Sequence, residues 1–127
     1  MKVRVSHNNF RFRMAVSDLH AWSQSGSCSL VMELPGEKKL EFTLLSSNRA
    51  EVDLDCTMPN LFVFHWPLVE VIEWMRKDET VGMYATLTNT IGQPLSIAIE
   101  KDFACNPGDQ ESFPDRYFAR PNQEKAC

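Results

Sequence analysis

Apolar and polar residues alternate in short stretches along this chain, and two stretches with helical spacing interrupt the alternation. Alternation with a period of two is typical of strands with one buried face, whereas apolar residues three and four positions apart are typical of a helix. Phe10 precedes Trp22 by the same interval as Phe62 precedes Trp74. The pattern therefore predicts a strand-strand-helix-strand-strand order that is used twice.

These elements predict an α+β fold with a mainly antiparallel sheet of about eight strands and two helices. Short hairpin connections favour antiparallel pairing. The fold is either sandwich-like or barrel-like, and a ββαββ pseudo-repeat over residues 1–46 and 49–103 is possible. We expect one domain at 1–104 and an extended tail without regular structure at 105–127, where prolines and polar residues dominate. Three aromatic residues are candidates to pin part of the tail to the body: Phe113, Tyr117 and Phe118.

Two residues mark the expected starts of the helices. The hydroxyl group of Ser17 is placed to accept a hydrogen bond from the first turn of helix one, which predicts an N-cap. Pro67 is expected to open helix two, where proline is tolerated.

The composition narrows the classes of protein. A chain of 127 residues, 43% of them apolar, buries a sizeable core without disulfides or a metal. No stretch approaches the roughly 20 apolar residues of a membrane span, and no apolar segment typical of a signal peptide precedes the first strand, which predicts a cytoplasmic protein. The net charge of -4 argues against a general nucleic-acid binder.

The cysteines are widely spaced and form no metal-binding or redox motif. In the cytoplasm we expect all four to stay reduced, and a bond between Cys105 and Cys127 is the alternative for an exported protein. The four positions are Cys28, Cys56, Cys105 and Cys127.

A basic hairpin at the start of the chain is the first candidate site. Its outward positions are Lys2, Arg4, Arg11 and Arg13. Four cations on one sheet face repel one another unless an anion lies opposite, and arginine suits a phosphate or sulfate group. The alternative is a salt-bridge ladder with three acids at the corresponding positions of the second half: Glu51, Asp53 and Asp55.

A second candidate lies at the end of the last strand. Glu100 and Asp102 flank Lys101 close to the thiol of Cys105, a set that suits acid-base or metal chemistry, with Lys101 as a further anion-binding cation. The alternative is a solvated strand end. No metal site is predicted, because no histidine has a partner at metal-ligand spacing. A zinc site assembled from distant residues stays an alternative, with His20, Cys28 and His65 as ligands.

Two passages resemble a family of small bacterial proteins, domain-of-unknown-function family 7009. They are the opening MKVRVSHNNFRFRM, which is followed by a helix that begins with a serine, and the ending LSIAIEKDFAC with its DQESFP segment. The resemblance implies a bacterial cytosolic protein and no established activity. It adds weight to several positions without giving them a role: Lys2, Arg4, Arg11, Arg13, Glu100, Lys101, Asp102, Phe103 and Cys105. Residues 116–127 depart from the family pattern.

The sequence favours a non-catalytic binding or accessory domain that uses the basic hairpin to hold a protein partner or a small anionic ligand. The alternative is a small enzyme that acts on a phosphorylated compound, with a divalent metal held by Glu33, Glu41 or Glu100. No cofactor, no membrane contact and no catalytic residue is predicted. The orientation of the four basic side chains discriminates between the alternatives.

Overall fold

The computed structural model describes residues 1–106 and 108–119, and this part of the chain contains eight strands and three helices. In chain order the elements are β1 (Lys2–Ser6), β2 (Asn9–Met14), α1 (Val16–Ser25), β3 (Ser27–Leu34), β4 (Lys38–Ser47), β5 (Asp53–Asp55), β6 (Leu61–Pro67), α2 (Leu68–Arg76), β7 (Gly82–Thr88), β8 (Pro94–Lys101) and α3 (Asp109–Ser112). The order β-β-α-β-β thus occurs twice, and α3 follows.

The strands form two separate sheets of four. Sheet A has the order β1-β2-β8-β7, and sheet B has the order β3-β4-β6-β5. The pairs that are adjacent in sequence are antiparallel, whereas β2 pairs with β8 and β4 pairs with β6 in parallel, so both sheets are mixed. The α+β class is confirmed, and the barrel-like alternative is wrong because neither sheet closes on itself. A sandwich-like arrangement stays a prediction.

Buried residues recur with one spacing in the two halves. The first half supplies Phe12, Leu19 and Trp22, and the second supplies Phe64, Val71 and Trp74. The two tryptophan rings meet edge to face, with centroids 6.4 Å apart. The strand orders of the two sheets are also related. If β1 to β4 are exchanged for β5 to β8 in turn, the order of sheet A becomes β5-β6-β4-β3, which is the order of sheet B read from its other edge. That the halves are a sequence repeat stays a prediction.

Aromatic rings join the two sheets. Phe10 and Phe12 of β2 meet Phe64 of β6 with centroids 5.1 and 4.9 Å apart, both edge to face. This geometry suits the charge distribution of aromatic rings. Because strand side chains alternate, burying these phenylalanines leaves Arg11 and Arg13 on the opposite face of β2.

The start of α1 differs from the expectation. The helix begins at Val16, and the carboxylate of Asp18 accepts a hydrogen bond from the backbone N–H of Ala15 at 2.8 Å. Ser17 lies inside the first turn, and its backbone N–H donates to the carbonyl of Asp115 at 2.9 Å. The first amides of a helix lack partners within the helix, and here the segment after β8 supplies two, since the backbone N–H of Val16 also donates to the carbonyl of Arg116 at 3.3 Å.

The C-terminal segment is docked on the body. Phe118 forms an isolated parallel bridge with Phe103, and its backbone N–H donates to the carbonyl of Asp102 at 2.9 Å. Phe118 therefore pins the segment as expected, whereas Phe113 is 55% exposed. The prediction of no regular structure is wrong for Asp109–Ser112, which forms α3. The division into a domain and a tail stays a prediction, and residues 107 and 120–127 lie outside the described residues.

The cysteines differ in state. Cys28 and Cys56 are free thiols, and burial raises the pKa of Cys28, with a smaller contribution from Asp18. Cys105 is disulfide-bonded, so the expectation of a reduced thiol is wrong there. Cys127 lies outside the described residues. Within the described ranges, no helix has the length and apolar character needed to span a bilayer.

Candidate functional site

The outer face of β1 and β2 carries four cations, which we call the basic face: Lys2, Arg4, Arg11 and Arg13. The antiparallel register places Lys2 opposite Arg13 and Arg4 opposite Arg11. The four side chains line a depression of about 340 Å³ together with Val3. The sequence pattern thus gave the correct set of neighbours, and the structure adds that they surround a concavity.

The predicted salt-bridge ladder with β5 is wrong. β5 belongs to sheet B, where it pairs with β6, so its acids do not lie beside β1 and β2. Asp53 forms an ion pair with Arg49. Asp55 accepts hydrogen bonds from the backbone N–H and the hydroxyl group of Thr57, which hold the pKa of that carboxyl below its ordinary value. Glu51 is exposed and precedes the strand.

Two carboxylates from the end of β8 lie against the basic face instead. Glu100 pairs with the Nε atom of Arg11, and Oδ2 of Asp102 lies 3.2 Å from Nζ of Lys2. Asp102 is only 7% exposed. Within residues 1–106 and 108–119, Arg4 and Arg13 have no ion pair. Among the described residues, the face therefore holds four cations and two carboxylates, and Arg4 and Arg13 are left without a counter-charge.

Tyr84 and Gly82 complete the surroundings of Glu100. The hydroxyl group of Tyr84 donates to the carboxylate of Glu100 at 3.2 Å. Burial raises the pKa of Tyr84, and the negative charge of Glu100 raises it further. Gly82 lies opposite Glu100, and a Cβ atom there would lie 2.8 Å from Cγ of Glu100 and 2.9 Å from the hydroxyl oxygen of Tyr84. Glycine thus leaves the room in which these two side chains meet.

Lys101 does not join the basic face. It lies on the inner face of sheet A, 3% exposed, and its ammonium group donates to the carbonyl of Lys77 at 2.6 Å. The same nitrogen lies 5.5 Å from the ring centroid of Trp74 and 5.7 Å from that of Phe118. Cation–π contacts with two rings partly replace the lost hydration of the ammonium group. The structure therefore separates Lys101 from the other four predicted anion ligands and gives it contacts with α2 and the C-terminal segment.

A pH-dependent effect on stability is expected at Lys101. Burial lowers its pKa, and Asp78 and Glu79 oppose the shift. Between the folded pKa and the ordinary value, the unfolded chain holds a proton that the folded chain lacks, so stability rises with pH. Lys101→Met removes this group at similar volume. Relative to that variant, the wild-type protein is expected to gain free energy of unfolding as the pH is raised from 7 toward the ordinary lysine value of about 10.4, measured by urea unfolding.

The control for this experiment is Lys77→Met. The hydrogen bond and the charge of Glu73 raise the pKa of Lys77, so its contribution is complete at neutral pH and is lost as the pH rises through the folded pKa. Because this loss begins only near the ordinary lysine value of about 10.4, the control is expected to keep the pH slope of the wild type between pH 7 and that value. The same slope in all three proteins would contradict the assignment for Lys101.

The metal ligands expected for an enzyme are not brought together. Glu33 and Glu41 lie on β3 and β4 of sheet B, whereas Glu100 lies on β8 of sheet A. Glu33 also lies 3.7 Å from Nζ of Lys39. Over the described ranges, no group of three or more histidine, cysteine, aspartate or glutamate side chains is arranged to hold a metal ion, and this excludes the alternative zinc site of His20, Cys28 and His65.

Tyr84 and Gly82 were not among the site residues predicted from the sequence. Alternation along β7 places both on an outer face, but their position beside Glu100 depends on the register of β7 with β8. Cys105 is exposed and follows the candidate carboxylates in the chain. Of the second predicted set, Glu100 and Asp102 contact the basic face, whereas Lys101 does not.

A family model described as a family of unknown function, DUF7009, matches residues 1–122. The expectation that the chain departs from the family pattern from residue 116 onward is therefore wrong for residues 116–122. No curated protein and no solved structure matches the chain. A bacterial origin and a cytoplasmic location stay predictions.

Proposed function

We propose that this chain, which belongs to the DUF7009 family of unknown function, is a non-catalytic domain that binds a phosphate-type anion. The anion lies in the depression of the basic face. The carboxylates of Glu100 and Asp102 and the hydroxyl group of Tyr84 shape the site around it.

The observation that supports the proposal is the pair of uncompensated arginines. Arg4 and Arg13 are exposed and have no ion pair within the described residues, although each faces another cation across the β1–β2 hairpin. Like charges in directly opposed positions of a sheet destabilise it. A bound anion removes this repulsion, so the arrangement is more favourable in a complex than in the free protein.

Arginine chemistry and the shape of the face favour an oxyanion. The planar guanidinium group offers parallel donors that match two oxygens of a phosphate, a sulfate or a carboxylate. The depression of about 340 Å³ admits a small group between the four side chains. Lys2 and Arg11 are paired with carboxylates, so they line the site. Arg4 and Arg13 have no ion pair within the described residues, so they supply the donors for the anion.

A protein partner with acidic side chains would use the same donors, and it is the competing occupant. The enzyme with a divalent metal has weaker support, because Glu33 and Glu41 lie on the sheet that does not carry Glu100. The binding function needs no group beyond those on the basic face.

Calorimetric titration tests the proposal. Inorganic phosphate is expected to give a saturable heat at low sodium chloride that weakens at high sodium chloride, because salt screens exposed charges. It should also raise the melting temperature, because the ligand binds the folded chain alone. Saturation is the decisive reading, since phosphate stabilises many proteins without binding a site.

A poly-glutamate peptide is the second titrant. Saturable binding of the peptide without binding of phosphate would show that the ligand is an acidic protein partner and not a phosphate-type anion. No saturable heat from either titrant at low salt would refute the proposed function.

A further inference from the structure

A row of small uncharged polar residues borders the basic face on sheet A. The register from β1 through β2 and β8 to β7 places four of them side by side, Ser6, Asn9, Ser96 and Thr86, which we call the neutral row. All four are exposed. Their hydroxyl and amide groups both donate and accept hydrogen bonds.

Ala98 lies in the same row of sheet A as Arg4 and Arg11, next to the neutral row. Its register partners are Arg11 on β2 and Tyr84 on β7, so it occupies the middle of the sheet beside the Arg4–Arg11 pair. Residues two apart on a strand face the same side and are roughly 7 Å apart. Ala98 carries only a methyl group, so its own side chain does not fill the space above β8 between Ser96 and Glu100.

The net charge of the basic face limits the charge of the ligand that it can bind. With Lys2 and Arg11 paired to Asp102 and Glu100, the other two cations have no ion pair in the part of the chain that the structure describes. A phosphate monoester carries a charge of about -1.5 to -2 at neutral pH, which matches two cations. Ligands with several phosphates would bring excess negative charge against the two carboxylates.

We infer that the ligand is a phosphorylated sugar or polyol, with its phosphate on Arg4 and Arg13 and its hydroxyl groups above Ala98, hydrogen-bonded to the neutral row and Glu100. This inference rests on the proposed function and deepens it, because it names the class of compound. Glu100 contributes an acceptor for a ligand hydroxyl, which a bare phosphate does not supply. The neutral row fixes the direction in which the body of the ligand extends.

The test compares glucose 6-phosphate, inorganic phosphate and glucose by calorimetry on the full chain. Glucose 6-phosphate is expected to bind at least about tenfold more tightly than inorganic phosphate, because it adds hydrogen bonds without adding charge. The variant Ser96→Ala with Thr86→Val is expected to lose that advantage and to bind inorganic phosphate as the wild type does. Alanine and valine are compatible with exposed strand positions, and circular dichroism checks the fold.

Ser29→Ala is the control, since it removes a hydroxyl group from the outer face of sheet B, where it hydrogen-bonds to Thr43. It should leave both affinities unchanged. Equal affinities of the wild type for phosphate and glucose 6-phosphate, or an equal loss of both in the double variant, would overturn the inference while the proposed function stands. No binding of inorganic phosphate or glucose 6-phosphate would refute both.

Discussion

Replacing Arg4 and Arg13 together by alanine is expected to weaken phosphate binding by at least about 100-fold, because each hydrogen bond to a charged group contributes roughly 1.5–3 kcal/mol. The free energy of unfolding should stay the same or rise slightly, since neither arginine has an ion pair within the described residues and each faces a like charge. Calorimetry measures the first quantity, and urea unfolding measures the second.

The matched control removes the same charge from sheet B and the loop that precedes β5. Lys39→Ala with Arg49→Ala deletes two cations that are paired with Glu33 and Asp53. Neither cation lies on sheet A, which carries the basic face. It should keep phosphate binding close to that of the wild type. Equal losses in the two double variants would show that phosphate responds to total charge, and would contradict a site on the basic face.

Phe64→Ala is expected to destabilise the fold by about 3–5 kcal/mol, the usual cost of removing a fully buried phenylalanine. Phe64 is 0% exposed, and its ring meets Phe10 and Phe12 of the other sheet. The substitution therefore leaves a cavity where the two sheets touch. Urea unfolding monitored by tryptophan fluorescence measures the loss.

Phe113→Ala is the control, since that ring is 55% exposed and meets only Tyr117 among the described aromatic rings. A change within about 0.5 kcal/mol is expected, as for most surface substitutions. A loss for Phe64→Ala no larger than that for Phe113→Ala would contradict the role given to the contact between the sheets.

Local pattern was sufficient to predict the strands and the two longer helices with their main buried residues, but it predicted neither α3 nor the start of α1. The alternation of Phe10, Phe12 and Met14 identifies the inner face of β2, and the spacing of Val71 and Trp74 identifies that of α2. The sheet topology could not be predicted in the same way. The parallel pairing of β2 with β8 joins segments from opposite ends of the chain, and periodicity carries no information about which strands become neighbours.

The same limit explains the errors at the site. The acids of β5 have the correct alternation for a ladder with the basic hairpin, but the neighbour of β2 is β8, and Glu100 takes the place expected for them. The burial of Lys101 could have been predicted, because it continues the alternation of the buried residues Ile97 and Ile99 along β8. A charged residue on an inner face contradicts the expectation that strand ends are solvated, and burial against Trp74 and Phe118 resolves the conflict.

The pairing of β2 with β8 also sets the order in which the site can form. Residues 9–14 and 94–101 are adjacent in sheet A although most of the chain separates them. During synthesis on the ribosome, β2 therefore presents an unpaired edge until β8 has emerged, and such edges recruit other strands. The first hairpin carries its four cations beside that edge, and charged side chains on an exposed edge strand disfavour its pairing with other chains.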